Sequence, residues 1–243
     1  NLLQRERITA VIPVKEFSDD KYLIAITKNG LIKKTALNEF DTKRTTGLIA
    51  INLKDEDELI AIKQSTGSNN IIIVTRKGKC ISFSEKDVRP MGRIASGVRA
   101  IKLDKDDEVV SMELVEPEQQ LMVVTENGFG KRTPVEEYKI QVRGGKGLLT
   151  YDKAKFSKTG ALIGAMVVDE SDEILMINSD GIIIRIRASE VSILGRATQG
   201  VKIMKVEEGS KIVAIAKAIR DDEDETEEND SSASKETEEQ MSL

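Results

Sequence analysis

The residues best suited to chemistry in this chain are cations and glycines, and they are most concentrated between residues 141 and 147. That segment reads Gln-Val-Arg-Gly-Gly-Lys-Gly, which places two cationic side chains beside three glycines. Glycines let a backbone approach a ligand closely, and exposed backbone N–H groups can bind an anion. The spacing predicts a loop that holds phosphate groups without reading bases, with the candidate residues Gln141, Arg143, Gly144, Gly145, Lys146 and Gly147.

Two other interpretations of this segment differ in what they require. A nucleotide-binding P-loop needs Ser or Thr after Gly-Lys, and it needs a glycine at position 140. The chain has Gly147 and Ile140 at those places, so a P-loop is excluded. A tight connection that uses glycine only for its shape stays open as an alternative.

Further cations recur at fixed distances from glycines. A cation stands four residues before each of four loop glycines, at Lys43, Arg93, Arg143 and Arg196. Another stands four residues after three of four hairpin glycines, at Lys34, Arg132 and Arg185, with Ser82 as the exception. Additional cations near the loops are Arg44, Arg99, Lys102, Lys202 and Lys205. This recurrence predicts a basic strip around one rim, suited to the phosphate backbone of double-stranded DNA. The alternative is ordinary solubilising surface charge.

The residue types that the chain lacks argue against an enzyme. It has no histidine and a single cysteine, Cys80, so catalytic triads, disulfides and His- or Cys-based metal sites are excluded. Its acids cluster in turns such as Asp55–Glu58 and Asp104–Glu108, which we interpret as solvated hairpin ends. Aromatic residues make up only 3%, which disfavours single-strand binding by base stacking. We therefore predict no catalytic residue, no metal site and no cofactor in this chain.

The elements that position the cations repeat four times. Apolar strands at Tyr22–Thr27, Ile71–Thr75, Leu121–Thr125 and Ile174–Asn178 each run into a turn ending in glycine. Those glycines, Gly30, Gly78, Gly128 and Gly181, are 48, 50 and 53 residues apart. Asn-Gly and Asp-Gly at three of the turns predict tight type I′ hairpins.

Three more apolar segments follow in each repeat, and four strands at this period are typical of propeller blades. We predict an all-β, propeller-like fold of four-stranded antiparallel blades, with the domain over residues 1–219. Its predicted parts are a partial blade at 1–17, because Ile8–Val14 matches a fourth strand, and four full blades at about 20–66, 69–116, 118–168 and 171–219.

The end of the chain differs from this body in charge. Residues 221–243 contain eleven acids and one lysine, a net charge of −10, which leaves +5 for residues 1–220 because the whole chain carries −5. We predict a disordered acidic tail at 220–243. A basic body with an acidic tail often accompanies nucleic-acid binding. No apolar run reaches the length of a membrane span and no signal-peptide pattern opens the chain, so we predict a cytoplasmic protein.

Several of these segments together resemble one family. Gln-x-Arg-Gly-Gly-Lys-Gly at 141–147 matches the signature box of the C-terminal DNA-wrapping domain of the DNA gyrase A protein, a type IIA topoisomerase component. The segments GLIKKTALNEF, NGFGKRTPVEEY and VSILGRATQGVKI look like the same domain, and the similarity covers about residues 6–218. The resemblance implies a six-bladed β-pinwheel that wraps DNA around its basic rim and so supports ATP-dependent negative supercoiling.

The resemblance also implies the setting of this domain. ATP and Mg would be bound elsewhere in the parent complex, and the DNA-cleaving tyrosine would lie in an upstream domain. The partners would be double-stranded DNA, the gyrase B protein and the catalytic core of the gyrase A protein, in the bacterial cytoplasm at the nucleoid. In the family the box lies in the first blade, whereas here it lies in the third full repeat, so residues 141–147 can be a second box.

Two alternatives remain. The C-terminal domain of the topoisomerase IV A protein has the same fold but a degenerate box. A protein-interaction propeller of the WD40 or kelch type is the other, although the chain has no Trp and so no Trp-Asp signature.

Overall fold

The structure is a computed structural model that describes residues 8–44 and 46–218. In these residues fifteen strands account for nearly all regular structure. They are β1 Tyr22–Thr27, β2 Leu31–Ala36, β3 Leu59–Ser65, β4 Asn70–Thr75, β5 Lys79–Ser84, β6 Val98–Arg99, β7 Val109–Val115, β8 Gln120–Thr125, β9 Phe129–Pro134, β10 Leu148–Leu149, β11 Leu162–Val168, β12 Glu173–Asn178, β13 Ile183–Arg187, β14 Val201–Lys202 and β15 Ile212–Lys217.

Helical turns are short and join the strands. One α-helical turn spans Phe156–Thr159, and single 3₁₀ turns span Leu37–Phe40, Glu85–Asp87, Val135–Glu137, Lys153–Lys155 and Ala188–Glu190. Four of the 3₁₀ turns follow the second strand of a hairpin directly, where they redirect the chain. The all-β class predicted from the sequence is confirmed.

The predicted hairpins form, but their turn type differs from the prediction. A type I′ turn needs positive φ at both central residues. In the first hairpin Gly30 has φ +79° and Asn29 is not in the positive-φ region. The Gly30 N–H donates to the Thr27 carbonyl at 3.0 Å, and the Leu31 N–H donates to Thr27 Oγ1 at 3.1 Å. The loop is therefore a type I turn closed by a left-handed glycine, so only the glycine is conformationally required.

The first three sheets are each built from two successive repeats, and the fourth is built from the last repeat alone. Their strand orders are β3-β1-β2-β6, β10-β5-β4-β7, β11-β8-β9-β14 and β13-β12-β15. The predicted four-stranded antiparallel blades are confirmed, but the third segment of the second, third and fourth repeats pairs as the outermost strand of the preceding blade and not within its own blade. β6 of the second repeat pairs with β2 of the first, with Leu31 opposite Arg99. In the described residues β13 has no strand on its outer side, so the fourth sheet has three strands.

Glycine permits this exchange. A Cβ at Gly97, Gly147 or Gly200 would lie 2.4–2.6 Å from a carbonyl oxygen of the preceding blade, at Ile32, Cys80 or Gly130. Side chains do not tolerate such a distance, so the loop can cross onto the neighbouring blade only at a glycine. This contact accounts for three of the four recurring loop glycines of the sequence, whereas a Cβ at Gly47 would meet no atom within 4 Å.

The hydrophobic core lies between the blades. Ile71 and Ile73 of β4 pack toward Ile24 and Ile26 of the first blade, whereas Ile72 on the other face packs toward the third blade. A third cluster joins the third and fourth blades through Met122, Val124, Ile174 and Met176. Strands buried on both faces read as continuous apolar runs, which explains the Ile-Ile-Ile-Val of β4.

The inner strands β3, β7, β11 and β15 surround a shared centre. A cavity of about 610 Å³ at this centre is lined by all four strands and by residues 9–13. Residues 8–14 occupy that position without forming the strand that the sequence predicted, and Val11 is 84% exposed. Every hairpin in the described residues is already paired with one of the four inner strands, so none is left to pair with this segment.

Candidate nucleic-acid interface

The crossing loops, defined here as residues 89–97, 139–147 and 192–200, lie against the outer edges of the blades and contain four of the predicted cations, Arg93, Arg143, Lys146 and Arg196. The same backbone contact recurs in all three. The N–H groups of Asn52, Lys102 and Asp152 donate to the carbonyls of Ala95, Gly145 and Thr198, at 3.4, 2.8 and 3.3 Å. Each loop is therefore hydrogen-bonded to the residues just after the third segment of the preceding repeat. That segment forms the outer strands β6 and β10 in the second and third repeats and no strand in the first.

The box at 141–147 uses its backbone for this docking. The Gln141 N–H donates to the Ser82 carbonyl and the Gly144 N–H to the Ala100 carbonyl, both at 2.7 Å. The expectation that these N–H groups are free to hold phosphate is therefore wrong for Gln141 and Gly144. Gly144 has φ +83°, so it is required for its conformation. Gly145 has no positive φ, and its carbonyl accepts from Lys102.

Arg143 and Arg196 share one arrangement in successive loops. Arg143 donates from Nε to the Asp87 carbonyl at 3.0 Å and from Nη1 to the Arg99 carbonyl. Arg196 donates from Nη1 to the Leu149 carbonyl at 3.4 Å, and its backbone N–H donates to the Glu137 carboxylate at 3.2 Å. Both side chains are half-buried. These arginines therefore attach the loops while part of each guanidinium stays at the surface.

Several predicted cations are exposed on the outer perimeter. Arg99 lies on β6 and Lys202 on β14, at equivalent places in the outermost strands of the first and third blades. Lys202 Nζ also lies 5.2 Å from the centre of the Phe129 ring. The other exposed members of the predicted strip are Lys43, Arg44, Lys102, Lys146 and Lys205.

Arg93 and Arg185 differ from these residues. Arg93 is half-buried, and its carbonyl accepts a hydrogen bond from Lys33. Arg185 is exposed on β13, where it forms an ion pair with Glu173.

Lys34 and Arg132 are not part of the exposed strip, which corrects the sequence prediction. Lys34 is 4% exposed, and its Nζ lies 2.8 Å from the fully buried Glu85 carboxylate and 4.2 Å from the centre of the Tyr22 ring. Arg132 is 3% exposed and donates from Nε to the Val191 carbonyl and from Nη1 to Gln120, both at 2.7 Å. The following repeat covers β2 and β9 on their outer side, so cations on these strands face protein.

Sequence reasoning missed two buried lysines beside them. Lys33 donates from Nζ to the Ala50 carbonyl at 2.6 Å and also to the Arg93 carbonyl. Lys131 donates to the Gly195 carbonyl at 2.6 Å and also to the Arg196 carbonyl. Burial lowers the pKa of both ammonium groups to about 8. The one sequence feature that could have indicated these buried lysines is a pair of adjacent cations three and four residues after the hairpin glycine. The pair is Lys-Lys in the first repeat and Lys-Arg in the third, and it is absent from the other two repeats.

The turns at the other end of the blades contain acids that are not all solvated. Asp107 is 8% exposed and accepts from Thr75 Oγ1 at 2.8 Å and from the Lys77 N–H at 2.9 Å. Ion pairs also join successive blades here, from Lys28 to Glu108 at 3.3 Å and from Lys211 to Glu126 at 3.2 Å. The interpretation of these acidic clusters as wholly solvated is therefore wrong, because two aspartates cap the hairpins.

The remaining features of the described chain do not suggest metal or thiol chemistry. Cys80 is buried, and burial raises the pKa of its thiol to about 12. Among residues 8–44 and 46–218 no group of three or more His, Cys, Asp or Glu side chains is arranged to hold a metal ion. Over the same residues, no helix combines the length and apolar character that crossing a bilayer requires.

Comparison with known proteins agrees with this geometry. The family model of the DNA gyrase C-terminal domain, a beta-propeller, matches residues 21–65, 69–116, 119–169 and 172–218. The DNA gyrase A protein of Mycolicibacterium smegmatis is 42% identical over 222 residues, which are 90% of this chain and 26% of that protein. The Salmonella typhimurium gyrase A protein is 40% identical over 220 residues, 90% of this chain and 25% of that protein.

Two solved structures share the fold. The C-terminal domain of DNA topoisomerase IV superposes with a TM-score of 0.81 at 26% identity, covering 85% of this chain and 64% of that one. The DNA gyrase A C-terminal domain superposes with a TM-score of 0.76 at 30% identity, covering 85% of this chain and 68% of that one.

The blades with exchanged outer strands define a β-pinwheel of the kind found at the C-terminus of type IIA topoisomerase proteins. Within that class, the chain belongs to the DNA gyrase C-terminal domain family, because its four repeats match that family's model. The topoisomerase IV alternative is not favoured, since the full-length relatives at about 40% identity are gyrase A proteins. The chain spans about a quarter of the length of those relatives.

Proposed function

We propose that this chain binds double-stranded DNA without sequence specificity and bends it around the outer rim of its blades. The observation that carries the proposal is the exposure of Arg99 and Lys202 at equivalent places on the outermost strands of two blades. Exposed Lys102 and Lys146 and the half-buried Arg143 and Arg196 extend this surface along the crossing loops. Exposed cations on the outer rim suit the anionic phosphate backbone of DNA and form no pattern of base-reading groups.

In the parent enzyme, bending would serve DNA supercoiling. The wrapped duplex would be presented as a crossed segment to the catalytic core of the gyrase A protein, in a complex with the gyrase B protein that binds ATP and Mg outside this chain. In this proposal the chain itself needs no cofactor and performs no bond chemistry. Its place is the bacterial cytoplasm, at the nucleoid. The support is family membership together with the exposed rim.

The binding test compares two double variants of equal charge. Fluorescence anisotropy of a duplex of about 40 base pairs is followed over a salt series for the wild type, for Arg99→Gln/Lys202→Gln and for Lys54→Gln/Lys105→Gln. Lys54 and Lys105 are exposed in turns before the inner strands, so they control for net charge. Each lost phosphate contact lowers the salt slope by about 1, so we expect a decrease of about 2 for the rim variant and none for the control.

Two results would contradict the proposal. Absence of duplex binding at low salt favours the protein-interaction propeller, and equal slopes in both double variants place the DNA elsewhere. Bending is measured separately, by energy transfer between dyes at the two ends of a duplex of about 100 base pairs. Transfer must rise on binding, because a straight duplex shorter than its persistence length of about 150 base pairs keeps its ends apart.

A further inference from the structure

The three junctions between successive blades differ at one equivalent position. Four residues after the hairpin glycine the first blade has Lys34 and the third has Arg132, and both cations are buried against the next repeat. The second blade has Ser82 at this position. Ser82 is 1% exposed, and its Oγ has no hydrogen-bond partner. The second junction therefore lacks the buried cation that its two neighbours contain, and it leaves a buried polar atom unpaired.

A cavity lies beside Ser82, at the position where the first and third blades have a buried cation. It has a volume of about 220 Å³, is partly open to solvent and lies between the second and third blades. Its polar lining includes Asn70, Ser82, Glu116, Glu136 and Lys139, and its apolar lining includes Val115, Pro117, Val135, Tyr138 and Ile140. Pockets for drug-sized ligands usually exceed about 300 Å³, so this one suits a smaller molecule or a single side chain.

The lining corresponds to the surroundings of Arg132 more closely than to those of Lys34. The carboxylate that pairs with Lys34 belongs to Glu85, and its equivalent in the next repeat is the apolar Val135. The amide of Gln120, which accepts from Arg132, has Asn70 as its equivalent.

The main-chain acceptors of Arg132 also have counterparts in this cavity. Arg132 donates to the carbonyls of Ser189 and Val191 at 3.3 and 2.7 Å, and the equivalent residues, Glu136 and Tyr138, line the cavity. The site thus repeats the neutral acceptors around a buried guanidinium without containing one, whereas the Glu170 carboxylate, 4.0 Å from Arg132 Nη1, has Pro117 as its equivalent.

We propose that this cavity binds the guanidinium group of an external ligand, in the place that Arg132 fills in the third blade. The planar group would donate to Ser82 Oγ, to the Asn70 amide oxygen and to the main-chain oxygens of Glu136 and Tyr138. A guanidinium suits such spread acceptors because it presents five N–H donors in a fixed plane, whereas an ammonium is a compact charge. Val115 and Pro117 would pack against the alkyl chain, and Glu116 and Glu136 set against Lys139 leave one net negative charge at the lining.

The test is an NMR titration of the ¹⁵N-labelled chain with butylguanidinium at low millimolar concentration, with butylammonium as the matched cation. We expect saturable shifts of the Asn70, Ser82 and Tyr138 amides, and affinity for butylammonium lower by roughly tenfold. Ser82→Arg fills the cavity from within, as Arg132 does, and should abolish these shifts. Ser171→Arg adds the same charge in an exposed turn and should leave them unchanged.

A second ligand identifies the source of the guanidinium. N-acetylarginine amide carries the guanidinium group on a peptide-like backbone. Binding as tight as that of butylguanidinium indicates that the site accepts an arginine side chain of a partner. Binding of butylguanidinium alone indicates a free small molecule. Should Ser82→Arg fail to fold, Ser82→Ala removes only the hydroxyl acceptor and should weaken binding several-fold.

Two outcomes overturn the proposal. One is the absence of saturable shifts in the wild type at about 20 mM of either guanidinium ligand, a concentration well below that used for denaturation. The other is equal affinity in wild type and Ser82→Arg. Neither measurement involves DNA, so the proposal can fail while DNA binding stands, and the reverse also holds.

Discussion

The buried cations of β2 and β9 and the exposed cations of β6 and β14 lie on neighbouring strands of the same two sheets. The buried set is Lys33, Lys34, Lys131 and Arg132, and the exposed set on the outer strands is Arg99 and Lys202. The first set faces protein because the following repeat covers its strands, and that repeat displays the second set. In each of these two sheets, the exchange of one outer strand thus separates buried cations that contact protein from exposed cations that DNA could reach.

The two sets are physically connected. Lys33 and Lys131 donate to carbonyls at positions 93, 195 and 196, in the crossing loops that also contain Arg93 and Arg196. Burying a charge is costly unless it is hydrogen-bonded, and here the bonds fix the backbone of the loops. The buried lysines therefore position the surface proposed to bind DNA without forming part of it. The following predictions separate these two roles, from the largest expected effect to the smallest.

The largest effect is expected for the buried ion pair. Lys34→Ala leaves the fully buried Glu85 carboxylate without its cation, and breaking a buried pair from one side costs about 3–5 kcal/mol. Lys43→Ala removes an exposed cation from the same repeat and should change the free energy of unfolding by less than about 0.5 kcal/mol. Urea denaturation followed by circular dichroism measures both. Equal stabilities of the two variants would show that Lys34 makes no net contribution.

Lys131 should make stability depend on pH. Its folded pKa of about 8 lies below the ordinary 10.5, so the unfolded chain binds more protons between these values and stability rises with pH across that window. Lys131→Met removes this dependence. The raised pKa values of Cys80 and Tyr138 make stability fall as pH rises, but both residues are present in the two proteins that are compared. The difference between the two stability curves should therefore change by up to about 3 kcal/mol from pH 8 to 10.5.

Lys146→Met provides the matched control for this experiment. Lys146 is exposed, so the difference between its curve and that of the wild type should be flat over the same range. A flat curve for Lys131→Met as well would mean that the buried ammonium is solvated well enough to keep its ordinary pKa.

Much of the fold, and less of the interface, could be predicted from the sequence. The hairpins were predictable because the strands and their glycine turns are local features. The exchange of outer strands was not, because the requirement for Gly97 arises from the Ile32 carbonyl, far away in the chain. In the sequence, Lys34 and Arg99 are both cations close to a glycine. Lys34 is buried because the following repeat covers its strand, and Arg99 is exposed because it lies on that covering repeat. The predicted acidic tail lies outside the described residues.

Arg143 should show both roles at once. Arg143→Lys keeps the charge but loses the planar fork that reaches two carbonyls, so stability should fall by about 1 kcal/mol while the salt slope of DNA binding is retained. Arg143→Ala should lose similar stability and lower the salt slope by about 1 as well. Denaturation and anisotropy on the same samples measure the two effects. An unchanged slope in Arg143→Ala would restrict this residue to loop attachment.

The smallest effect on stability, and the clearest effect on DNA, is expected at the outer strands. Arg99→Ala and Lys202→Ala should each change the free energy of unfolding by less than about 0.5 kcal/mol and lower the salt slope by about 1. The second blade provides the converse experiment, because Leu149 is the equivalent of Arg99 and Lys202 and is 41% exposed. Leu149→Arg should raise the slope by about 1 on duplexes of unrelated sequence.

The gain at position 149 is the sharper of the two measurements, since a lost contact can reflect indirect disturbance whereas an added contact requires DNA to be near. Leu149→Gln is the neutral control, because it replaces the same apolar side chain without adding charge. If Leu149→Arg raised the affinity for one sequence only, the residue would be contacting bases. If it left the slope unchanged while Arg99→Ala and Lys202→Ala lowered it, DNA would contact the first and third blades and pass over the second without touching its outer strand.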